Sequence, residues 1–287
     1  MKVFLAGAIT SSHHPGLKGK YKLWSALHEQ KIAIKMLGHF SETMIDSGAH
    51  SWNKTSMWQV GSPAMKSLPN LENHAEAYKK MIRDNLEEKI IWVELDVYAV
   101  KHKKWIDDLY AEVKSYDSSV QYMRVYHPTI DKGSMDTLRE WIGEGQDYIG
   151  IGNDGLALRD EFFKITEDNK IKVHGFAMTK LDLMKAYPFY SVDSHSWKTG
   201  SMYGILQLPF KRFQTISLSQ FYQLKKQDQE NINSHIASIG FPGGVDELMA
   251  DTTKTDICNI YQMEHLKKSA IDFKENREMS FQGSLFE

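Results

Sequence analysis

Short apolar runs recur along the chain at residues 3–6, 44–45, 90–95, 121–126, 148–151, 171–175 and 189–192, rich in β-branched and aromatic side chains. Each is too short for a helix and reads as a strand. Between them lie segments of good helix formers with apolar residues three and four apart, at 72–89, 103–116, 134–144, 156–167 and 179–186. Strands alternating with helices predict a parallel sheet covered by helices. After residue 193 the pattern changes. Residues 200–207 and 209–216 predict short β segments, 217–237 a helix with Leu218, Phe221, Tyr222 and Leu224 as its apolar positions, and 245–268 a closing helix. The domain expected is one unit over 1–270, with a polar, flexible C-terminal tail over 271–287.

The strand ends repeat a second pattern. Ile45 runs into Asp46, the next strand carries Glu94 and Asp96, and then come His127, Asn153 with Asp154, His174 and Asp193. In a barrel every carboxyl-terminal strand end faces one mouth, so residues far apart in sequence converge there. The pattern therefore predicts an α/β fold of the TIM-type (β/α)8 barrel, with irregularities. An open doubly wound sheet is the alternative, and it would gather fewer of these residues, only around a switch point.

Composition narrows the function classes. A formal net charge of −2 gives no long-range attraction to nucleic acid or an anionic membrane, so any polyanion must be met by local clusters such as 101–104, Lys211 with Arg212, Lys225 with Lys226, or Lys267 with Lys268. The single cysteine, Cys258, excludes an intramolecular disulfide and a zinc site built on several thiolates, and fits a reducing, cytoplasmic compartment. Residues 1–9 are apolar but shorter than a membrane span and lack a cleavage region, so they read as a first core strand and no membrane partner is expected. Histidines 13, 14, 50, 127, 174 and 195 show no metal-ligand spacing on one helix, and neither metal nor cofactor is expected.

Two segments carry the chemistry. In Met44-Ile45-Asp46-Ser47-Gly48-Ala49-His50 a carboxylate leaves a strand into a turn of small residues, where a ligand can approach the backbone; an Asx turn is the bland alternative. Tyr187-Pro188-Phe189-Tyr190-Ser191-Val192-Asp193-Ser194-His195-Ser196-Trp197 repeats the design with a following aromatic residue. A carboxylate at the mouth of a barrel can stabilise an oxocarbenium-like centre or bond to it, while a second carboxyl handles the proton of the leaving group, as in retaining glycoside hydrolysis.

These segments, with Val93-Glu94-Leu95-Asp96, Gly150-Ile151-Gly152-Asn153-Asp154-Gly155-Leu156 and Val173-His174-Gly175 between them, resemble the tRNA-guanine transglycosylase superfamily. They are more similar to its virus- and bacterium-encoded branch, which acts on DNA and installs 7-deazaguanines, and this implies a bacterial or virus-infected cell. Each motif is short, and their order over residues 40 to 200 carries the resemblance. It implies Asp193 as the nucleophile at the anomeric carbon and Asp46 as the acid/base. Asp96 would accept from N1–H and the exocyclic amine of guanine. Glu94, Gly150, Gly152, Asn153 and His174 complete the implied base-binding set, although His174 and His195 also fit as core or pocket-lining residues. The family's zinc ligands, three cysteines and a histidine, cannot be matched here, which implies loss of that subdomain and favours DNA over tRNA.

Acting on duplex DNA requires the nucleotide to be flipped out and stacked on aromatic side chains, for which Trp52, Trp197 and Tyr203 are candidates. Lys198, Lys211 and Arg212 are the candidate phosphate contacts. Near the end, Gln282-Gly283-Ser284-Leu285-Phe286 is similar to the short peptides by which DNA enzymes dock on bacterial sliding clamps. The expected reaction exchanges guanine in double-stranded DNA for a free 7-deazaguanine base, such as the 7-cyano or 7-aminomethyl form, through a covalent Asp–sugar intermediate. Three alternatives stay open: excision with water as acceptor, transfer between free nucleosides, suggested by Val3-Phe4-Leu5-Ala6-Gly7, and a non-catalytic DNA-binding module.

Overall fold

Eight parallel strands, β1 (Lys2–Ala6), β2 (Tyr21–Ser25), β3 (Glu42–Asp46), β4 (Ile90–Val93), β5 (Tyr122–Tyr126), β6 (Tyr148–Ile151), β7 (Lys172–Gly175) and β8 (Ser191–Ser194), follow one another in chain order around a closed barrel. The computed structural model describes residues 1–9, 17–56, 68–130, 132–152, 158–209 and 215–283. Among the described residues, helices connect consecutive strands from β2 to β8, so the fold is the expected (β/α)8 barrel. Contacts divide the chain into two units, Gly19–Phe176 and a discontinuous one made of Met1–Lys18 and Ala177–Glu287.

The Gly19–Phe176 unit holds β2 to β7 with α1 (Gln30–Lys35), α2 (His50–Ser56), α3 (Leu71–Arg83), α4 (Lys103–Tyr116), α5 (Asp136–Gly143) and α6 (Arg159–Asp168). Its central strands are buried along their whole length, Ile90 to Val93 and Tyr148 to Ile151 among them, as a parallel sheet covered by helices requires. In α4 the residues Ile106, Leu109 and Val113 are buried at helical spacing, which is why the apolar pattern located this helix. Asn70 caps α3 by accepting from the Asn73 amide at 3.0 Å.

Strand β2 has no counterpart in the apolar runs, because Lys22 interrupts the pattern. The structure buries that lysine completely, with its ammonium 4.0 Å from the centre of the Trp24 ring two residues on.

In the other unit β1 pairs with β8 from Lys2↔Ser191 to Leu5↔Ser194. The chain continues through α7 (Leu181–Ala186), which precedes β8, then α8 (Thr199–Tyr203), a two-stranded antiparallel sheet of β9 (Ile205–Gln207) and β10 (Thr215–Ser217), α9 (Lys226–Ser238), α10 (Val245–Ala250) and α11 (Thr252–Gly283). Residues 200–203 are thus helical where the start of a β segment was expected, and α9 begins only at Lys226, after a 3₁₀ stretch at Leu218–Gln223. A second core gathers Leu206, Ile216, Phe221, Ile236, Leu248 and Cys258. Helix α11 runs to Gly283, well past residue 270.

Two of the polar residues buried on α11 are tied down by backbone contacts. Asn259 accepts from the Gln207 amide at 2.8 Å and donates to the carbonyls of Trp197 at 3.2 Å and Ile205 at 3.1 Å. Asp256 accepts from the Ser201 amide at 2.7 Å. No helix among the described residues is long and apolar enough to cross a membrane.

Candidate active site

In the Gly19–Phe176 unit, Asp46 is the last residue of β3 and is half-buried. Its carboxylate accepts from the Gly48 amide at 3.3 Å, so the Asx turn anticipated from Asp46-Ser47-Gly48 is present. Gly48 takes φ +86°, and a Cβ there would come within 2.6 Å of Leu27, which explains why this turn carries glycine. Ser47 is buried; its hydroxyl donates to the Glu94 carbonyl at 2.8 Å and its own carbonyl meets the His74 ring nitrogen at 2.8 Å. The turn is held from below by β4 and α3.

Glu94, just past β4, has no exposed surface. Its carboxylate accepts from Arg124 Nε at 2.9 Å, from the Val125 amide at 3.1 Å and from the Tyr98 hydroxyl at 3.3 Å. The Arg124 guanidinium also donates to Asp107 and lies 4.0 Å from the centre of the Trp141 ring. Burial lifts the Glu94 carboxyl to about 7 in spite of Arg124, whereas on Arg124 the attraction of Glu94 and Asp107 outweighs burial and holds the charge firmly. Burial also acts upward on Asp107, but hydrogen bonds from Lys103 and Arg124 hold it below its usual range. Glu94 is therefore an interior ion-pair member, and its assignment to the base-binding set is corrected: no edge of a base reaches a carboxylate that the protein covers completely.

This carboxyl sets a pH dependence. The folded state keeps a proton on Glu94 up to about pH 7, while the unfolded chain releases it near 4.5, so the cost of ionising it is absent below pH 4.5 and complete above pH 7. Stability should fall across that window by about 3 kcal/mol. Glu94→Gln should flatten the fall, and urea-unfolding midpoints of both proteins at pH 5 and pH 8 check this. Parallel slopes would rule it out.

Asp96, three residues past β4, has its carboxylate 2.6 Å from His127 Nε2 and stays partly exposed. Asn53 fixes the same turn, donating to the Asp96 carbonyl at 2.9 Å and accepting from the Ala99 amide at 3.3 Å. Gly150 lies inside β6, between Val125 of β5 and His174 of β7. A Cβ on it would sit 2.6 Å from the Phe176 ring, so its glycine makes room for that ring, a packing role in place of the ligand contact expected. His174 is fully buried with its ring 4.5 Å from that of Phe176, which makes it a core residue. Gly152, half-buried, directly follows β6.

In the discontinuous unit, Asp193 lies in β8 opposite Phe4 of β1. Asp193 is 7% exposed and its carboxylate accepts from the Ala177 amide at 2.9 Å; Ala177 takes φ +56°, a left-handed conformation costly for a residue with a Cβ. Two further expectations are corrected here. Trp197 is completely buried and donates from Nε1 to the Ala6 carbonyl at 2.7 Å, so its ring packs in the core and offers no face to a base. Lys198 is buried as well, 3.3 Å from the Asp256 carboxylate on α11, which draws its charge away from any phosphate. Of the other aromatic candidates, Trp52 is buried against His74 and Tyr203 is exposed.

Asn153, Lys211 and Arg212 lie outside the described residues, as do Ser284, Leu285 and Phe286 of the terminal peptide. The sequence marks His127 as a strand-end residue and as one of six histidines without metal-ligand spacing, and its pairing with Asp96 is visible only in the structure. Both residues follow adjacent strands, and that placement was the available signal. Among the described residues no three His, Cys, Asp or Glu side chains gather as metal ligands would. Comparison with protein-family models, with curated proteins and with solved structures finds no match to this chain.

Proposed function

We propose that this chain exchanges guanine in DNA for a 7-deazaguanine base, with Asp193 as nucleophile, Asp46 as acid/base and Asp96 as the acceptor for the edge of the base. One observation carries the proposal: Asp193 sits near the carboxyl end of a barrel strand with its carboxylate accepting from the backbone amide of Ala177, a residue held in the left-handed region. Backbone strain of this kind clusters at active sites, which supports a functional role for the side chain it holds. The carboxyl ends of barrel strands are where barrel enzymes keep their reacting groups, and Asp46 ends β3 as Asp193 nearly ends β8.

In the proposed reaction an Asp193 oxygen bonds to C1′ as the C1′–N9 bond breaks, and Asp46 gives its proton to the departing guanine. The sugar is then held as an ester on Asp193. The incoming deazaguanine loses its N9 proton to Asp46, and its N9 attacks C1′ and frees the Asp193 carboxylate. The DNA carrier follows from the resemblance to the DNA-acting branch, and the single cysteine, which leaves the zinc site of the tRNA enzymes unmatched, supports it.

Purified protein incubated with guanine-labelled duplex DNA, with and without 7-cyano- or 7-aminomethyl-7-deazaguanine, tests the proposal through nucleoside mass spectrometry and an abasic-site assay. Label release that depends on the deazabase, with the deazabase appearing in DNA, is expected. Release accompanied by abasic sites would replace exchange with hydrolysis, and no release from any DNA would overturn both.

A further inference from the structure

We infer that His127 is a positioning residue that turns Asp96 into a fixed, single-sided acceptor and thereby selects a heterocycle with adjacent N–H donors; the inference rests on the base-exchange proposal and names how its base is chosen. His127 directly follows β5, and its Nε2 lies 2.6 Å from Asp96 Oδ2, a separation typical of a charge-assisted hydrogen bond. The ring is placed by more than that bond. It packs against the Tyr98 ring at 5.6 Å, and the Tyr98 hydroxyl donates to Glu94 Oε2 at 3.3 Å, inside the ion pair with Arg124. The imidazole is thus linked through Tyr98 to the buried Glu94–Arg124 ion pair.

The backbone beneath Asp96 is equally fixed. Asn53 bridges the Asp96 carbonyl and the Ala99 amide, and the buried side chains of Leu95 and Val97 anchor the turn on either side. Asp96 Oδ1, in contrast, makes no hydrogen bond among the described residues, and the side chain keeps 13% of its surface exposed. One oxygen is committed to the protein and the other is presented.

The chemical consequence is selectivity. A carboxylate donated to by an imidazole N–H stays an acceptor, so the ligand must bring the hydrogens. A guanine-type edge, with N1–H beside an exocyclic amine, meets that demand. An adenine-type edge places the lone pair of N1 against the carboxylate and is rejected, because two acceptors then face each other. Without His127 the Asp96 side chain could rotate, and the distinction would blur. His127 takes no part in bond making and acts only through Asp96.

The test measures equilibrium binding of free 7-aminomethyl-7-deazaguanine and of adenine to wild type, His127→Phe and His127→Gln, together with exchange kinetics and thermal melting. His127→Phe should weaken binding of the deazaguanine roughly 10- to 100-fold and narrow its preference over adenine. KM for the base should rise by a similar factor while kcat at saturating base stays within a few-fold. His127→Gln, whose amide can donate to Asp96, should restore part of the affinity. Wild-type affinity and selectivity in His127→Phe would overturn the inference while leaving base exchange intact. A lowered melting temperature that tracks the loss of affinity in both variants would also overturn it, since that pattern marks a purely structural residue. If wild type binds neither heterocycle, the base-exchange proposal fails and this inference falls with it.

Discussion

Asp193→Asn is expected to slow base release from DNA on the order of 10⁴-fold or more, the scale seen when a covalent nucleophile is removed. An amide oxygen cannot form the sugar ester that a carboxylate forms, so the two-step path is closed and only unassisted cleavage is left. The substitution spares the fold for a specific reason. The Asn side chain has the same shape, and its carbonyl oxygen can still accept from the Ala177 amide that holds Asp193. Melting should therefore move by no more than a few degrees while single-turnover release of labelled guanine collapses. Wild type should also yield a protein–DNA adduct that survives denaturation, and the variant none. Release by Asp193→Asn at a rate within tenfold of wild type would remove this residue from the chemistry.

The second large effect is on stability. Arg124→Leu leaves the Glu94 carboxylate buried with no cation beside it, and breaking a buried pair in this way costs about 3–5 kcal/mol. Asp107 loses one partner but keeps Lys103 at 2.9 Å. Glu94 can escape part of the penalty by taking up a proton, so the damage should be smaller at pH 5 than at pH 8. A fall in melting temperature on the order of 10 °C at pH 8 is expected for a chain of this size. Replacing both members, Glu94→Leu with Arg124→Leu, should recover most of the loss, because neither charge is then stranded. A single variant that melts within about 2 °C of wild type at pH 8 would show that the pair contributes little.

Much of the barrel is legible in the apolar pattern. Residues 103–116 and 148–151 form the helix and strand that their periodicity predicts, because each buries one consistent set of side chains. Strand β2 is hidden because Lys22 is buried by virtue of its neighbour Trp24, a relation that hydropathy does not register. The strand-end carboxylates are legible as positions, but their fates are not. Glu94 and Asp96 are two residues apart, and only the third dimension assigns one to an interior ion pair and leaves the other partly exposed. A charge at the end of one apolar run, Glu94, and another inside the next, Arg124, was the available hint that they would meet. Trp197 and Lys198 looked like ligand contacts because they follow Asp193, yet their burial depends on β1 and α11, which are far away in sequence.

The pairing of β1 with β8 also sets an order of events during synthesis. Lys2 and Ser191 are about 190 residues apart, and at ribosomal speeds the first strand waits roughly 10 to 40 s for its partner. Through that interval Val3, Phe4 and Leu5, all buried in the finished protein, have no β8 to pair with. The Gly19–Phe176 unit, by contrast, is continuous and has all its own strands before β8 leaves the ribosome. Contacts this distant in sequence are slow to form. Closure of β1 on β8 is therefore expected among the late steps of folding.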